Sequence, residues 1–254
     1  MKNILRRLLY ISREFGFDPI RFSYAIRGLS WFISDFAKNS LKARNQSIQV
    51  QPVFSDKRAF SGSADGHYFW QDLICAKWIF EESPESHLDV GSRVDGFIGH
   101  LLTFMKVSQI DVRENQLQIE GFNSVVADLT KNFKESGEKF ASVSSLHSLE
   151  HFGLGRYGDS ISPKGHEVGL LNLSTYVSPG GYLYVSYPVG NDVVQFNSQR
   201  LLHSDWAIVL LKGFEPIQYA NIPWKGNPKI GYGYPNVNEF EDGSAILLKL
   251  KKLN

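Results

Sequence analysis

His87-Leu88-Asp89-Val90-Gly91-Ser92-Arg93-Val94-Asp95-Gly96-Phe97-Ile98 is a short apolar run that ends in an acidic residue and a glycine-broken turn, after which a helical pattern begins. A nucleotide-binding α/β domain opens in this way. Glycine lets backbone amides approach a ligand, and a carboxylate at the carboxyl end of the first strand fixes ligand polar groups at the switch point of the sheet. Gly91, Arg93, Asp95 and Gly96 do not spell the dinucleotide fingerprint G-x-G-x-x-G, so the turn alone does not separate a ligand site from an ordinary strand-to-helix connection.

Downstream of this turn the rhythm alternates strand and helix. Strands are expected at 87–91, 108–112, 123–127, 140–146, 181–188, 214–222 and 244–251, and helices near 95–105, 165–177 and 199–211. The alternation implies a Rossmann-like α/β fold, a seven-stranded, mostly parallel sheet covered on both faces. The last two strands have only the glycine- and proline-rich segment 223–242 between them, which predicts a C-terminal antiparallel hairpin. Upstream, residues 66–82 read as a helix stopped by Ser83-Pro84. Residues 1 to about 45 form an N-terminal helical extension, with Ile4, Leu5, Leu8, Leu9, Ile11 and Phe15 on one face, Arg6, Arg7 and Arg13 off it, and a break at Asp18-Pro19. Residues 46–66, strand-like at 48–53 and turn-rich near Ser61-Gly62-Ser63, read as a linker, so the expected division is 1–64 and 65–254.

With 254 residues, 43% of them hydrophobic and 21% charged, the chain has enough apolar content for one main core and an added segment. A formal charge of +1 gives no global drive toward nucleic acid, so no nucleic-acid partner is expected. Cys75 is the single cysteine, which excludes an internal disulfide and fits a cytoplasmic setting. No apolar run approaches the roughly 20 residues of a membrane span, and the N-terminus lacks a signal peptide's uncharged core. The basic amphipathic start is expected to pack on the domain or on a partner subunit, with contact to a membrane surface as the weaker alternative and a homo-oligomer compatible with both.

Five strings, the opening one included, line up in order with the class I S-adenosylmethionine-dependent methyltransferases, which the sequence resembles over roughly residues 65–254. His87-Leu88-Asp89-Val90-Gly91-Ser92 is similar to the first cofactor motif of that superfamily, Ile110-Asp111-Val112-Arg113 to its second-strand end, and Val126-Ala127-Asp128-Leu129 to its third-strand end. Residues 144–151 resemble the fourth-strand motif, and Pro179-Gly180-Gly181 the step into the fifth strand. The string 149–159, with His67-Tyr68-Phe69-Trp70-Gln71-Asp72 upstream and Pro188-Val189-Gly190 downstream, resembles a domain family of unknown function first catalogued in Caenorhabditis and also found in bacteria. Bacterial members of that family often accompany surface-polysaccharide genes, which implies a sugar or glycan-related small molecule as methyl acceptor.

The resemblance implies S-adenosylmethionine as cofactor, held by Asp89, Gly91 and Ser92, by Asp111 on the ribose hydroxyls, by Asp128 and Leu129 at the adenine, and covered by Tyr68 and Gln71. The chain departs from the superfamily at Arg93 and Asp95, where glycines are usual, and at Ala141, where an aspartate is usual. Transfer of a methyl to a hydroxyl is helped by a base at the carboxyl end of the fourth strand. His151 is the preferred base, Glu150 its orienter, and His147 the residue nearer the cofactor; histidines that only satisfy loop backbone are the plain alternative. Arg156 and Tyr157 are expected at the cleft mouth, where arginine binds a sugar phosphate or uronate bidentately; an Arg156–Asp159 pair fixing the loop is the plainer reading. Asn197 and Arg200 are further candidates for the acceptor.

No metal is expected. His147-Ser148-Leu149-Glu150-His151 spells H-x-x-E-H, but the serine-rich strand before it and the glycines after it leave no long helix for a zinc peptidase site. A nicotinamide-dependent sugar oxidoreductase shares the strand pattern yet needs a Tyr-x-x-x-Lys relay that is absent. A non-catalytic binding module of the same fold, acting as partner subunit in a polysaccharide-assembly system, is the second functional reading.

Overall fold

The computed structural model describes residues 2–42, 49–54, 56–58, 62, 66–131 and 137–254, and the chain divides into two compact units, Met1–Ser63 and Ala64–Asn254. The linker expected across 46–66 lies mostly outside the described residues; 49–54 carry no strand.

In the first unit α1 (Lys2–Glu14) and α2 (Pro19–Lys42) meet at the predicted break, where Asp18 caps α2 by accepting from the amides of Ile20 and Arg21 and pairs with Arg13 at 2.9 Å. Phe54 packs edge-on against Phe32 and over Gly28, and the Lys57 ammonium lies over the Trp31 ring.

The second unit begins with α3 (His67–Glu82), followed by β1 (Ser86–Val90), a π turn (Val94–Ile98) running into the single turn α4 (Gly99–Leu101), then β2 (Lys106–Asp111), β3 (Phe122–Val126) and β4 (Phe140–Leu146). After α5 (Gly165–Thr175) come β5 (Val177–Pro188), the small hairpin β6 (Val193–Gln195) and β7 (Gln199–Leu201), α6 (Trp206–Leu210), β8 (Phe214–Ile222), β9 (Lys229–Tyr232) and β10 (Ala245–Lys252). The main sheet has the order β3-β2-β1-β4-β5-β10-β8-β9; neighbours from β3 to β5 are parallel, and β10 is inserted antiparallel between β5 and β8.

Alternation along the central strands builds one core on each face. Leu183, Val185 and Tyr187 of β5 with Ile246, Leu248 and Leu250 of β10 pack beneath α5 and α6. Tyr184 of β5 with Ala245 and Leu247 of β10 packs with Cys75, Trp78 and Ile79 of α3 and Phe97 and Ile98 of the π turn. The carboxyl ends of β1 to β4 therefore open between two packed layers. Any ligand cleft belongs there.

Three expectations are corrected. The sheet has eight strands rather than seven, because residues 229–232 pair with β8 as an edge strand instead of forming a loop or lid. Residues 199–211 are not one helix: Gln199–Leu201 is a strand, and helix is confined to Trp206–Leu210. The strand expected at 181–188 begins at Val177, with a register shift against β4 between Phe140 and Ser142 where Pro179-Gly180-Gly181 enters. The antiparallel pairing of the segments 214–222 and 244–251 is as expected.

Candidate functional site

At the carboxyl ends of β1 to β4 lies a cavity of about 280 Å³. Its floor is the turn after β1. Gly91 adopts φ +73°, a conformation costly for other residues, and a Cβ there would overlap the Ser148 hydroxyl, so only glycine keeps both the turn and the close approach of the histidine loop. Asp111 ends β2 and Asp128 follows β3, and both line the cavity with Leu129, Tyr68 and Gln71. Tyr68 is half exposed rather than part of the core.

Asp89 and Ser92 serve this floor from behind. Asp89 is fully buried and accepts from the Ser92 amide at 2.9 Å, the Ser92 hydroxyl at 2.6 Å, the Ser144 hydroxyl at 2.6 Å and, more weakly, Gln109 Nε2 at 3.4 Å. Burial raises its pKa although these bonds oppose the shift. Ser92 Oγ also accepts from the Leu146 amide at 3.1 Å, tying the turn to β4. Neither side chain lines the cavity, so the expectation of direct contact gives way to one of shaping the turn.

Asp111 is already engaged. Its Oδ1 accepts from the Arg113 amide at 2.8 Å and from Nε at 2.9 Å, and its Oδ2 from Nη2 at 2.9 Å, while the guanidinium lies 4.5 Å over the Tyr157 ring. The carboxylate holds the Arg113 pKa above the ordinary arginine value. Asp128 Oδ1 accepts from both the amide and the hydroxyl of Thr130.

The loop after β4 carries the histidines. Leu149–His151 is a single 3₁₀ turn, which among the described residues leaves no long helix to present H-x-x-E-H to a metal. Glu150 is fully buried, with Oε1 2.7 Å from His147 Nδ1 and 3.8 Å from His151 Nε2. Burial alone would lift its pKa; the two histidines outweigh burial and lower it. The carboxylate thus orients His147 rather than, as expected from sequence, His151. Since a carboxylate only accepts, His147 Nδ1 donates, and its Nε2 has no hydrogen-bond partner among the described residues. His147 stacks on His67 with centroids 5.2 Å apart. His151 donates from Nδ1 to the Ser198 carbonyl at 2.7 Å, and burial lowers its pKa so that the ring is neutral at pH 7. Both histidines line the cavity.

Arg156 and Tyr157 sit at the mouth as expected, with Arg156 Nη1 donating to the Ser198 carbonyl at 3.0 Å. Asp159 does not pair with Arg156. It accepts from the amides of Gly153 at 2.6 Å, Gly155 at 3.3 Å and Tyr157 at 3.3 Å, closing the loop on itself. Arg200 is buried and spends its guanidinium on four carbonyls, those of Glu150, Phe152, Ser162 and Pro163. Asn197 is exposed, and neither it nor Arg200 lines the cavity.

Sequence reasoning assigned no role to Arg93 and Arg113, which line the cavity with Arg156. Arg93 forks onto Asp95 at 3.0 and 2.7 Å, with its guanidinium 5.5 Å from the Tyr68 ring centre. The departure from the usual glycine at residue 93 was the available signal.

Sheet order, inserted antiparallel strand and cleft position define the fold of the class I S-adenosylmethionine-dependent methyltransferases. Among the solved structures with a similar fold are three methyltransferases. The N-methyltransferase NodS of Bradyrhizobium japonicum WM9, in complex with S-adenosylhomocysteine, is 12% identical over 75% of this chain and 90% of its own, with TM-score 0.51. A S-adenosylmethionine-dependent methyltransferase of Clostridium acetobutylicum ATCC 824 is 11% identical over 75% and 94%, TM-score 0.52. The 1,6-didemethyltoxoflavin-N1-methyltransferase of Burkholderia thailandensis, with 1,6-didemethyltoxoflavin and S-adenosylhomocysteine bound, is 14% identical over 94% and 92%, TM-score 0.50. Residues 98–222 match the model of a family described as Caenorhabditis protein of unknown function, DUF268. No curated protein matches the chain.

Proposed function

We propose that this chain is a cytoplasmic S-adenosylmethionine-dependent methyltransferase acting on a hydroxyl of an anionic sugar, sugar phosphate or glycan-related small molecule. The observation that carries the reading is the convergence of Asp111, Asp128 and the loop bearing His147 and His151 on one cavity at the strand ends. The residues fit the cofactor: Gly91 keeps the floor open to close backbone approach, and Asp111 and Asp128 follow at the ends of adjacent strands, where the resemblance would put ribose and adenine. S-adenosylmethionine supplies an electrophilic methyl group on a sulfonium.

The protein's own task is to orient the acceptor and accept its proton. His147 is the better placed base, because Glu150 fixes its Nδ1–H and leaves the Nε2 lone pair unpartnered. His151, neutral and anchored to Ser198, lines the acceptor side. Arg93 and Arg113 are forked onto Asp95 and Asp111, which leaves Arg156 as the cavity-lining arginine without a carboxylate partner among the described residues, and its guanidinium favours a phosphate or carboxylate on the acceptor.

Calorimetry with S-adenosylhomocysteine tests the cofactor, and transfer of labelled methyl to a panel of acidic sugars and sugar phosphates tests the reaction. Absence of binding at millimolar ligand would remove the proposal. The Arg113–Asp111 fork, which occupies the expected ribose acceptor, favours a second reading as a non-catalytic partner subunit. Cofactor binding without turnover on any acidic acceptor, with a stable protein partner in pull-downs, would select it.

A further inference from the structure

The whole-chain charge of +1 conceals a division between the two units. Residues 1–63 carry eleven lysines and arginines against four acidic residues, a formal +7, whereas residues 64–254 carry sixteen against twenty-two, a formal −6. The basic unit also lacks a core of its own. Among its described residues Gly28 alone is buried, while Ile4, Leu5, Leu8 and Ile11 stand exposed along one stripe of α1 and Phe15, just past its end, is 87% exposed. Phe22, Ile26, Leu29, Ile33 and Phe36 add exposed apolar surface on α2. Isolated helices with an unburied apolar stripe are marginal in water, so this stripe requires a cover.

We propose that the cover is the surface of an anionic lipid bilayer, with α1 lying in the plane of the headgroups, its stripe in the acyl boundary and its arginines among the phosphates. Three observations select a bilayer. A cationic amphipathic helix of this length matches an interfacial rather than a spanning geometry, and no described helix is long and apolar enough to cross a membrane. A second copy docked stripe to stripe would bring two +7 surfaces together, which opposes association, while acidic headgroups complement the same charge. Nucleic acid would use the positive charge but leave Ile4, Leu5, Leu8 and Ile11 in water, since single strands stack on aromatic rings rather than on aliphatic chains.

Flotation of the full chain with vesicles tests this. The chain is expected to rise with phosphatidylcholine–phosphatidylglycerol vesicles at low salt, to bind phosphatidylcholine alone far less, and to be released by high salt. Leu8→Glu, on an exposed position, should abolish flotation. Replacing Arg7, Arg21 and Arg27 by serine should weaken binding by about fivefold per charge removed. An unchanged thermal unfolding curve for either variant shows that the fold is intact. The proposal is overturned if the chain stays with the soluble fraction in phosphatidylglycerol vesicles, if neither variant alters flotation, or if size exclusion shows a dimer that Leu8→Glu dissolves while vesicles capture nothing, for then a second copy covers the stripe.

Discussion

Glu150 is a carboxylate with no access to water, whose pKa is lowered against the pull of burial, above all by His147. Its 2.7 Å contact to His147, against 3.8 Å to His151, divides the loop's labour and leads to unequal effects of substitution. His147→Gln should lower kcat by about 10²- to 10⁴-fold, the range for losing a general base, with affinity for S-adenosylhomocysteine unchanged. His151→Gln, which keeps a donor toward Ser198, should lose less. Turnover unaffected in the His147 variant would move the base elsewhere.

Asp72 supplies a separate test at the same scale. Burial lifts its carboxyl to about 7, with Gln71 opposing and Asp89 adding to the shift. The folded chain therefore holds a proton between roughly pH 4 and pH 7 that the unfolded chain has released, so this group makes stability fall as pH rises through that window and no further above it. Asp72→Asn removes the ionisation. Its urea midpoint should exceed the parent's at pH 8, with a ceiling of about 4 kcal/mol, and the gap should close at pH 4. A gap independent of pH would mean that Asp72 ionises at its ordinary value.

At the scale of elements, the strand Gln199–Leu201 exists because of where Arg200 goes. Its guanidinium joins β7 to the carbonyls on either side of the histidine loop, at 2.6 to 3.4 Å. Arg200→Leu leaves those carbonyls without their donor and should destabilise the chain by about 3 kcal/mol in urea unfolding, with lysine restoring only part because an ammonium lacks the planar fork. A loss below about 0.5 kcal/mol would show that the loop stands without it. The same residue explains why the hairpin was illegible. Gln-Arg-Leu-Leu reads as the start of a helix, and nothing local reveals that the arginine is claimed by segments 37 to 50 residues earlier. β9 escaped notice for a related reason. Lys229-Ile230-Gly231-Tyr232-Gly233 has the composition of a turn, but Gly231 lies against the Tyr219 ring of β8, where any Cβ would collide. The first three parallel strands were legible because each is a short run closed by a glycine or an acidic residue, Gly91, Asp111 and Asp128. Which acidic tip faces the cavity was not: Asp89 pairs in register with Gln109 and Ser144 and turns inward, while Asp111, at the very end of β2, faces out.

Over the whole molecule, the sheet order puts every side chain expected to touch the cofactor within one unit, from Tyr68 of α3 to the loop after β4. Charge is divided along the same line, a feature that the near-zero total hides and that appears only when the chain is counted unit by unit. Ligand linkage should follow this division. S-adenosylhomocysteine at about a hundred times its dissociation constant stabilises the folded form by about 2.7 kcal/mol, which for a unit of this size raises Tm by about 5 to 10 °C. Hydrogen exchange in the presence of the ligand should slow across Ala64–Asn254, most at the turn after β1 and at the ends of β2 and β3, and leave α1 and α2 at their unliganded rates. Vesicles should produce the converse pattern, with protection in α1 and little at the strand ends. Ligand protection that spreads equally into residues 2–42, or that spares the strand ends, would contradict the proposed placement of the cofactor on Asp111 and Asp128, because among the described residues those lining that cavity fall between 68 and 159.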